Sequence, residues 1–524
     1  MKKSILKYNI SIKLFASSVI LLFFIVSFPN NRVEADDAFW YAQIVRDGTI
    51  DGFFNPRFML YLPFCKLLYS TITLIFPAVD AYLFMCVLSM FFSVLVILLV
   101  YKISTSLFKF NKNAGIFLGL LVLFSYQYWR YSMEAELYIL SLFFLLLALR
   151  EFLNYDRSAR RLGQIILISA LAVLFYKPNF IPIFLCFPLV FVLRRWWKDA
   201  VIFYAGTGTL VLLSIVLIYT LANYIEAPFL YYLTGGVPAP TGNPLMSVFV
   251  VASNIVSTLW VYSVAEIVDF VELKLVDKVL VEELYLNNQV TWELMFLYIT
   301  TFVIAAAVVY LVVASVKHKV RTKSHEISEP VIILMAWVGA YALFLLVMDP
   351  TSNEPWFMVQ IPLLWLFVVL VNSAKFLSKT PVSLLLIVVL VVHNYVGGIN
   401  LLKDVKYDYN TMKSRWLVEN ASGEDVIISL GPTAFIRYLR YHTEARVINL
   451  EENYETTISE IPGLLNGYSK VYLTEDVITP PKAIVMRSGY QQQEFQDVLH
   501  DFRLEIRQIS SNLEFKTYEI IVVN

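Results

Sequence analysis

Two adjacent carboxylates, Asp36 and Asp37, follow the first apolar stretch of the chain in the segment EADDAFWYAQ. Acidic groups are costly where a hydrocarbon core ends unless they face water or a polar site, so their position invites a functional interpretation. Two carboxylates held close together push one pKa upward, which suits a general base acting on an acceptor hydroxyl. The other would then orient that acceptor or help to bind the substrate. The structural alternative is a solvated N-cap for an interfacial helix that starts at Ala38.

Three cations are candidates for binding the phosphate of a donor. Lys177 lies in FYKPNF between two consecutive apolar spans, so its ammonium is expected at headgroup level, where it would stabilise a lipid phosphate as a leaving group. Ordinary snorkelling of an interfacial lysine is the alternative. Arg57 in NPRFMLYLP offers a guanidinium fork that suits phosphate oxygens. Arg130 in YWRYSMEAELY is the third candidate, unless it simply pairs with Glu134 or Glu136.

Three further carboxylates are candidates for acceptor binding or an auxiliary role. Glu134 and Glu136 would bind acceptor hydroxyls or a divalent ion, although favourable charge placement at a helix N-terminus explains them as well. Glu354 lies with Asp349 in DPTSNEPWF, where the two prolines favour a plain turn. The three cysteines and five histidines lack the spacing of a metal site. We therefore predict no structural metal and name no certain cofactor, because a divalent metal has no support in the sequence.

The composition assigns most of the chain to a membrane. Of the 524 residues, 58% are hydrophobic and 16% are charged, whereas a soluble globular chain carries about 25% charged residues. Residues 404–524 differ, because 18 acidic and 12 basic side chains lie in that segment. It alternates strand-like and helical runs and has no nucleotide-binding motif. We predict an α-helical polytopic membrane protein with a small C-terminal extracytoplasmic α/β domain at 404–524.

Eleven apolar runs are long enough to cross about 30 Å of hydrocarbon, allowing for some short or tilted helices. They lie near residues 12–29, 79–101, 114–130, 135–153, 163–177, 179–193, 200–223, 292–315, 330–348, 356–374 and 380–397. Basic residues precede the first run and follow every second one, which predicts a cytoplasmic N-terminus. The acidic pair and the C-terminal domain then both fall on the extracytoplasmic side of a multi-pass cell (inner) membrane protein.

Two apolar segments are not counted as spans in this topology. Residues 57–76 are predicted to form an interfacial helix, and residues 245–264 are predicted to be re-entrant or interfacial. Residues 1–403 then form the transmembrane catalytic domain, with external loops at 30–78 and 224–290. A cleaved signal peptide ending near Ala35 is the alternative interpretation of the N-terminus.

The span interiors carry almost no ionisable residues, whereas the candidates above fall at outer ends of spans or in external loops. An ion-coupled transporter would be expected to bury such groups near the middle of the membrane. The distribution instead suits a substrate with a lipid tail in the bilayer and a polar head in water. The sequence therefore favours a reaction at the outer interface over transport.

The order of these features resembles the GT-C superfamily of integral-membrane glycosyltransferases, which includes the protein O-mannosyltransferases and the aminoarabinose transferases of lipid A. The resemblance covers nearly the whole chain: a first span followed by the acidic pair, the external segment NPRFMLYLP, the sequence MEAELY, a Lys-Pro junction, about eleven spans and an outer α/β tail. The chain lacks the WWDYG motif of oligosaccharyltransferases, which argues against transfer of a whole oligosaccharide to asparagine.

The resemblance implies an inverting transfer of a hexose or pentose from a polyprenyl-phosphate-linked donor to a glycan, lipid or protein acceptor, with no nucleic acid involved. The acidic base of the superfamily lies in the first external loop. Matching Tyr41-Ala42 to the aminoarabinose transferases favours Asp37 as that base, while other branches favour Asp36, so both stay candidates. The alternatives from other classes are a lipid-linked glycan transporter or flippase and a non-catalytic cell-envelope scaffold.

Overall fold

The computed structural model describes residues 15–31, 36–48, 53–221, 254–261, 291–322, 328–348, 354–373, 380–405, 408–431, 433–480, 490–512 and 515–522. The chain divides into two compact units. The membrane unit comprises Met1–Phe28 and Ile44–Leu401, and the tail unit comprises Pro29–Gln43 and Leu402–Asn524. The tail unit thus includes the segment that carries the acidic pair, which the sequence assigned to the transmembrane domain.

Helices make up most of the described part of the membrane unit. Its α-helices cover Phe15–Val26, Tyr61–Thr73, Ala81–Ser106, Lys112–Phe124, Tyr126–Tyr131, Tyr138–Leu153, Ala159–Phe175, Leu189–Leu193, Trp197–Leu221, Thr291–Thr322, Glu329–Met348, Phe357–Ser373 and Thr380–Asn394. Large apolar side chains such as Leu213, Phe302 and Val309 are exposed on these helices. Exposed apolar side chains of this kind suit contact with lipid. Helices suit lipid as well, because their backbone polar groups are bonded within the segment.

Six helices of the described residues are long and apolar enough to cross a membrane: Ala81–Ser106, Trp197–Thr220, Trp292–Lys317, Glu329–Val347, Glu354–Asn372 and Ser383–Lys403. The protein is therefore a multi-pass membrane protein, and the count of eleven spans stays a prediction.

Two of the predicted spans are interrupted. The run at 114–130 divides at Ser125, whose backbone is extended, into the helices Lys112–Phe124 and Tyr126–Tyr131. The run at 179–193 contains a π-helix at Ile181–Cys186 and a short α-helix at Leu189–Leu193. Prolines at positions 182 and 188 lack the N–H that a continuous helix needs.

Residues 254–261 form a short, buried, partly helical segment within the membrane unit. Its end is bonded by Asn394, which accepts from the Val261 backbone N–H at 3.1 Å and donates to the Leu259 carbonyl at 3.0 Å. The Gln360 side chain donates to the Thr258 carbonyl. Non-helical backbone at membrane depth is tolerated only when protein groups satisfy it in this way. The remainder of the predicted re-entrant or interfacial stretch 245–264 lies outside the described residues.

The tail unit is built on a five-stranded mixed sheet of order β2-β1-β3-β5-β4. Its strands are β1 (Val426–Ser429), β2 (Arg446–Asn449), β3 (Val471–Thr474), β4 (Leu504–Asn512) and β5 (Phe515–Val522). Strand β1 pairs in parallel with β2 and β3, and β5 pairs antiparallel with β3 and β4. Because successive side chains of β1 point to opposite faces, Val426 and Ile428 enter one apolar cluster and Ile427 enters the other.

The helices of the tail unit cover both faces of this sheet and account for its α/β character. They lie at Tyr409–Asn420, Thr433–His442, Leu450–Gly467, Glu475–Ile478 and Gln492–Asp501, after a short helix at Asn400–Lys403. The backbone N–H groups of Asn30 and Asn31 both donate to the Leu402 carbonyl, at 2.9 and 3.0 Å. The segment that precedes the acidic pair is thereby joined to the start of the tail.

Replacing Asn394 by alanine is expected to destabilise the protein, because the Val261 N–H and the Leu259 carbonyl would then be buried without a partner. Each such loss costs about 1–3 kcal/mol. Thermal unfolding of the purified full chain in detergent measures the change as a lower Tm. Asn420→Ala, at an exposed helix end, is the matched control, and an Asn394→Ala Tm equal to that of the control would contradict the expectation.

Candidate functional site

The acidic pair opens the helix Asp36–Asp47, which we name the acidic helix. Acidic residues in its first turn and Arg46 in its last turn complement the helix dipole. Its C-terminal end is closed by Gly48, whose φ of 69° suits a glycine, and by the Lys66 ammonium, which donates to the Val45 carbonyl at 2.9 Å. Asp36 starts the helix, but its side chain lies outside the described part of the structure.

Asp37 has a partner at each of its carboxylate oxygens. The Tyr41 hydroxyl, one helical turn further on, donates to Oδ2 at 3.0 Å. The Arg437 guanidinium donates to Oδ1 and forms an ion pair with it. The same guanidinium lies over the Trp40 ring, 5.5 Å from its centroid. About a third of the Asp37 side chain, 33%, stays exposed, so the carboxylate is held and still accessible.

Arg437 belongs to the helix Thr433–His442, which we name the clamp helix. One face of this helix packs Phe435, Ile436 and Leu439 into the apolar cluster beside the sheet. Its other face meets Phe39 of the acidic helix, whose ring centroid lies 5.0 Å from that of Tyr438 and 5.4 Å from those of Tyr441 and His442. The acidic helix is therefore held by aromatic packing as well as by charge.

In the membrane unit, the backbone joins the two leading phosphate-binding candidates. The Lys177 N–H donates to the Arg57 carbonyl at 2.8 Å, and the Leu60 N–H donates to the Leu174 carbonyl at 3.1 Å. Arg57 follows a turn in which the Asn55 side chain accepts from the Arg57 N–H at 2.8 Å. Arg57 is exposed and Lys177 is half-buried. Two basic residues from distant parts of the sequence are thus neighbours through their backbones.

The turn that carries Lys177 is fixed by the residues that follow it. Lys177–Asn179 is a short 3-10 helix, and Pro178 suits its first turn because no N–H is needed there. The Asn179 amide donates to the Ala172 carbonyl at 2.9 Å and to the Ser141 hydroxyl at 2.8 Å. The sequence KPN therefore ends one helix, ties it to the next, and positions Lys177.

Glu354 contacts a cluster of tyrosines that includes Tyr176, the residue before Lys177. The Tyr138 hydroxyl donates to Glu354 Oε2 at 2.5 Å, and the Tyr138 ring centroid lies 5.7 Å from that of Tyr176. The Tyr131 ring lies 4.9 Å from Tyr138 on the other side. Glu354 itself starts the 3-10 turn Glu354–Trp356, as the prolines around it predicted. Its carboxylate is turned towards aromatic hydroxyls in the membrane unit.

Arg130, Glu134 and Glu136 are all buried, with 3–4% of their surface exposed. Arg130 Nε donates to Glu134 Oε1 at 2.8 Å, which is one of the two pairings anticipated from the sequence. Burial raises the pKa of the Glu134 carboxyl, and the Arg130 guanidinium opposes that rise. Burial, with Cys65 and then Glu136 nearby, also raises the pKa of the Tyr61 hydroxyl.

Several residues that contact the candidates belong to no recognisable sequence motif. Arg437 lies in TAFIRYLRYH, where the alternation of aromatic and basic residues indicates only an amphipathic helix. Tyr41 stands four residues after Asp37, and side chains at that spacing meet on a helix. The sequence therefore did indicate this contact. Tyr138 and Tyr176 are indistinguishable by pattern from other aromatic residues of the spans.

Comparison with known proteins finds structures of similar fold and no match by sequence. No protein-family model matches the chain, and no curated protein matches it significantly in sequence. ArnT from Cupriavidus metallidurans, solved bound to undecaprenyl phosphate, is similar with a TM-score of 0.57 at 10% identity, over 97% of each chain. The oligosaccharyltransferase AglB from Archaeoglobus fulgidus, solved with an inhibitory peptide and a dolichol-phosphate, has a TM-score of 0.48 at 12% identity, over 97% of this chain and 74% of its own. The chain therefore has the fold of ArnT, which agrees with the resemblance seen in the sequence.

Proposed function

We propose that this protein is a membrane glycosyltransferase that moves one sugar from a polyprenyl-phosphate-linked donor to an acceptor on the extracytoplasmic face, with inversion at the anomeric carbon. The observation that carries the proposal is the backbone bond between Lys177 and Arg57, which makes two basic residues neighbours just after the helix Ala159–Phe175. ArnT, whose fold is similar, was solved with undecaprenyl phosphate, a lipid phosphate of the class that such a pair would bind.

On the donor side, Lys177 and Arg57 bind the phosphate that links the sugar to the lipid. As the bond between the anomeric carbon and the phosphate oxygen breaks, negative charge develops on that oxygen. Cations that are already in place stabilise this charge without reorganisation. A guanidinium fork and a compact ammonium complement each other, because the first is bidentate and the second is a point charge.

On the acceptor side, a carboxylate of the acidic pair removes the proton of the acceptor hydroxyl. The acceptor oxygen attacks the anomeric carbon, the lipid phosphate leaves with the bonding electrons, and the proton stays on the carboxylate until it is released to water. Support comes from Asp37, whose carboxylate is bonded by Arg437 and Tyr41 and whose side chain is one-third exposed.

The remaining carboxylates would line the path of the sugar or the acceptor. Glu354 with Tyr138 combines a carboxylate and an aromatic ring, groups that suit sugar hydroxyls and sugar faces, and Glu136 interacts electrostatically with Tyr61. The proposed topology has eleven spans, a cytoplasmic N-terminus and an extracytoplasmic tail, as the basic loops indicate. A flippase or a scaffold with the same fold would show no transfer in the assays below.

Replacing both acids, Asp36→Asn with Asp37→Asn, is expected to reduce sugar transfer by at least about 10²-fold, because a positioned general base contributes about 10²–10⁴-fold. The assay follows labelled sugar from a polyprenyl-phosphate donor into a cell-envelope fraction of a deletion strain. Binding of undecaprenyl phosphate by the purified variant is the control and is expected to stay at the wild-type level. Transfer at the wild-type rate would refute the proposed function.

Lys177→Met is expected to weaken binding of undecaprenyl phosphate and to lower kcat/KM for the labelled donor by about 10²–10³-fold, since it removes a cation from the developing charge. Lys198→Met is the matched control, because Lys198 is an exposed lysine in the first turn of the helix Trp197–Leu221. If both variants lost the same affinity, the effect would be general electrostatics at the membrane surface and Lys177 would not be a phosphate ligand.

Arg130→Met is expected to destabilise the protein by about 3–5 kcal/mol, because it leaves the Glu134 carboxylate buried without its cation. Adding Glu134→Gln removes that charge and is expected to restore both the Tm and the transfer rate. Restored stability without restored transfer would instead make Arg130 a third ligand of the donor phosphate, as the sequence first suggested.

A further inference from the structure

One end of the membrane unit carries two loops that lie against each other, residues 154–158 and residues 194–196, which we name the paired loops. The ring centroids of Tyr155 and Trp196 are 5.5 Å apart. The Arg194 guanidinium donates to the Tyr155 carbonyl at 3.1 Å. An arginine of the second loop is therefore used to join it to the first.

Four other arginines lie in the paired loops or directly after them, and we name Arg157, Arg160, Arg161 and Arg195 the arginine patch. The side chains of Arg157 and Arg161 are 60% and 39% exposed, and each has a nitrogen 3.6 or 3.5 Å from a carboxylate oxygen. Exposed pairs of this kind are weak. Arg160 and Arg195 are exposed and form no ion pair with a residue that the structure describes. The patch can therefore bind an external anion.

Arg157 and Arg195 both occupy a backbone conformation that favours glycine. Their φ angles are 66° and 59°, in the left-handed region that other residues rarely adopt. Arg195 follows the helix Leu189–Leu193, at a place where the left-handed residue is most often glycine. The general preference for basic residues at one face of a membrane does not require them at these two positions. Costly backbone conformations of this kind cluster at ligand-binding sites.

The arginine patch borders an apolar surface. Trp197, directly after the second loop, is 60% exposed, and tryptophan is enriched at the boundary between membrane and water. One turn further on, Val201 and Ile202 are exposed as well, as suits contact with acyl chains. Lys177 follows the opposite end of the helix Ala159–Phe175, whose 17 residues span about 25 Å. The patch is therefore separate from the proposed donor-phosphate site.

We propose that the arginine patch binds the headgroup of an anionic phospholipid, whose acyl chains lie along the neighbouring apolar helix surface. A guanidinium suits this partner because it donates two parallel hydrogen bonds to phosphate oxygens. Arg157 and Arg195 belong to different loops, so a phosphate bound by both joins the paired loops from outside, as Arg194 joins them from within. The inference does not depend on the proposed function.

The experiment titrates the purified full chain in detergent with dioleoylphosphatidylglycerol or dioleoylphosphatidylcholine and follows binding by native mass spectrometry. Each arginine near an anionic headgroup contributes about fivefold in affinity. The wild type is therefore expected to bind the phosphatidylglycerol at least about 30-fold more tightly than the zwitterionic phosphatidylcholine. Arg157→Gly combined with Arg195→Gly is expected to lose about 30-fold in affinity for phosphatidylglycerol and to bind phosphatidylcholine as the wild type does.

The design separates lipid binding from folding. Glycine suits the left-handed backbone, so the double variant is expected to keep a Tm close to that of the wild type. Arg157→Asn with Arg195→Asn repeats the test, because asparagine also tolerates this conformation. Lys109→Gly is the matched control, since Lys109 is exposed, has a φ of 53° and lies in another loop. This control is expected to keep the wild-type affinity for phosphatidylglycerol.

Undecaprenyl phosphate, a phosphate monoester, tests whether the patch accepts any lipid phosphate. The double variants retain Lys177 and Arg57, so their affinity for undecaprenyl phosphate is expected to stay at the wild-type level. An equal loss for undecaprenyl phosphate and phosphatidylglycerol would contradict a phospholipid site.

Three other outcomes would also overturn the inference. They are equal affinity of the wild type for the two phospholipids, wild-type affinity for phosphatidylglycerol in both double variants, and a loss in Lys109→Gly as large as theirs. Sugar transfer enters none of these measurements, so failure of the proposed function is detected separately.

Discussion

Polar groups that enter hydrocarbon have no water to bind, and the described part of the membrane unit is organised around that constraint. Side-chain hydrogen bonds tie three irregular stretches to neighbouring helices: Gln360 donates to Ser125 and Thr258, Asn394 bonds residues 259 and 261, and Asn179, within its own turn, donates to Ala172 and Ser141. Such breaks are tolerated in a membrane only where protein groups satisfy them. Helices end at these breaks, and Lys177 lies at one such helix end.

The candidate residues of the two units differ in charge. Lys177 and Arg57, which suit a phosphate, belong to the membrane unit, and the acidic pair, with Arg437 bonded to Asp37, belongs to the tail unit. Arg130 and Glu134 are buried together and form an ion pair. A buried ion pair costs nearly as much in desolvation as it returns, so its value lies in fixing geometry. The exposed or half-buried Arg57 and Lys177 are better placed to meet a ligand.

Features that depend on local composition could be predicted from the sequence. Contacts between residues far apart in the chain could not. The helical membrane fold followed from the composition, whereas the roles of Lys177 and Arg57 stay predictions. Arg437 could not be predicted, because an arginine in an amphipathic helix has no signature until the fold supplies its partner. The break at Ser125 was missed for another reason: hydropathy averages over a window, and one extended residue between two apolar helices leaves no trace in it.

The tail unit is discontinuous in sequence. Its two segments are joined by the hydrogen bonds from Asn30 and Asn31 to Leu402 and by the contacts of the clamp helix with residues 37–41. Two segments that lie hundreds of positions apart must therefore evolve as one piece, since a change at one surface is felt at the other. A chimera that exchanges tails between two proteins of this fold would have to carry residues 29–43 with the tail. A recombination point at residue 402 alone would separate Asp37 from Arg437.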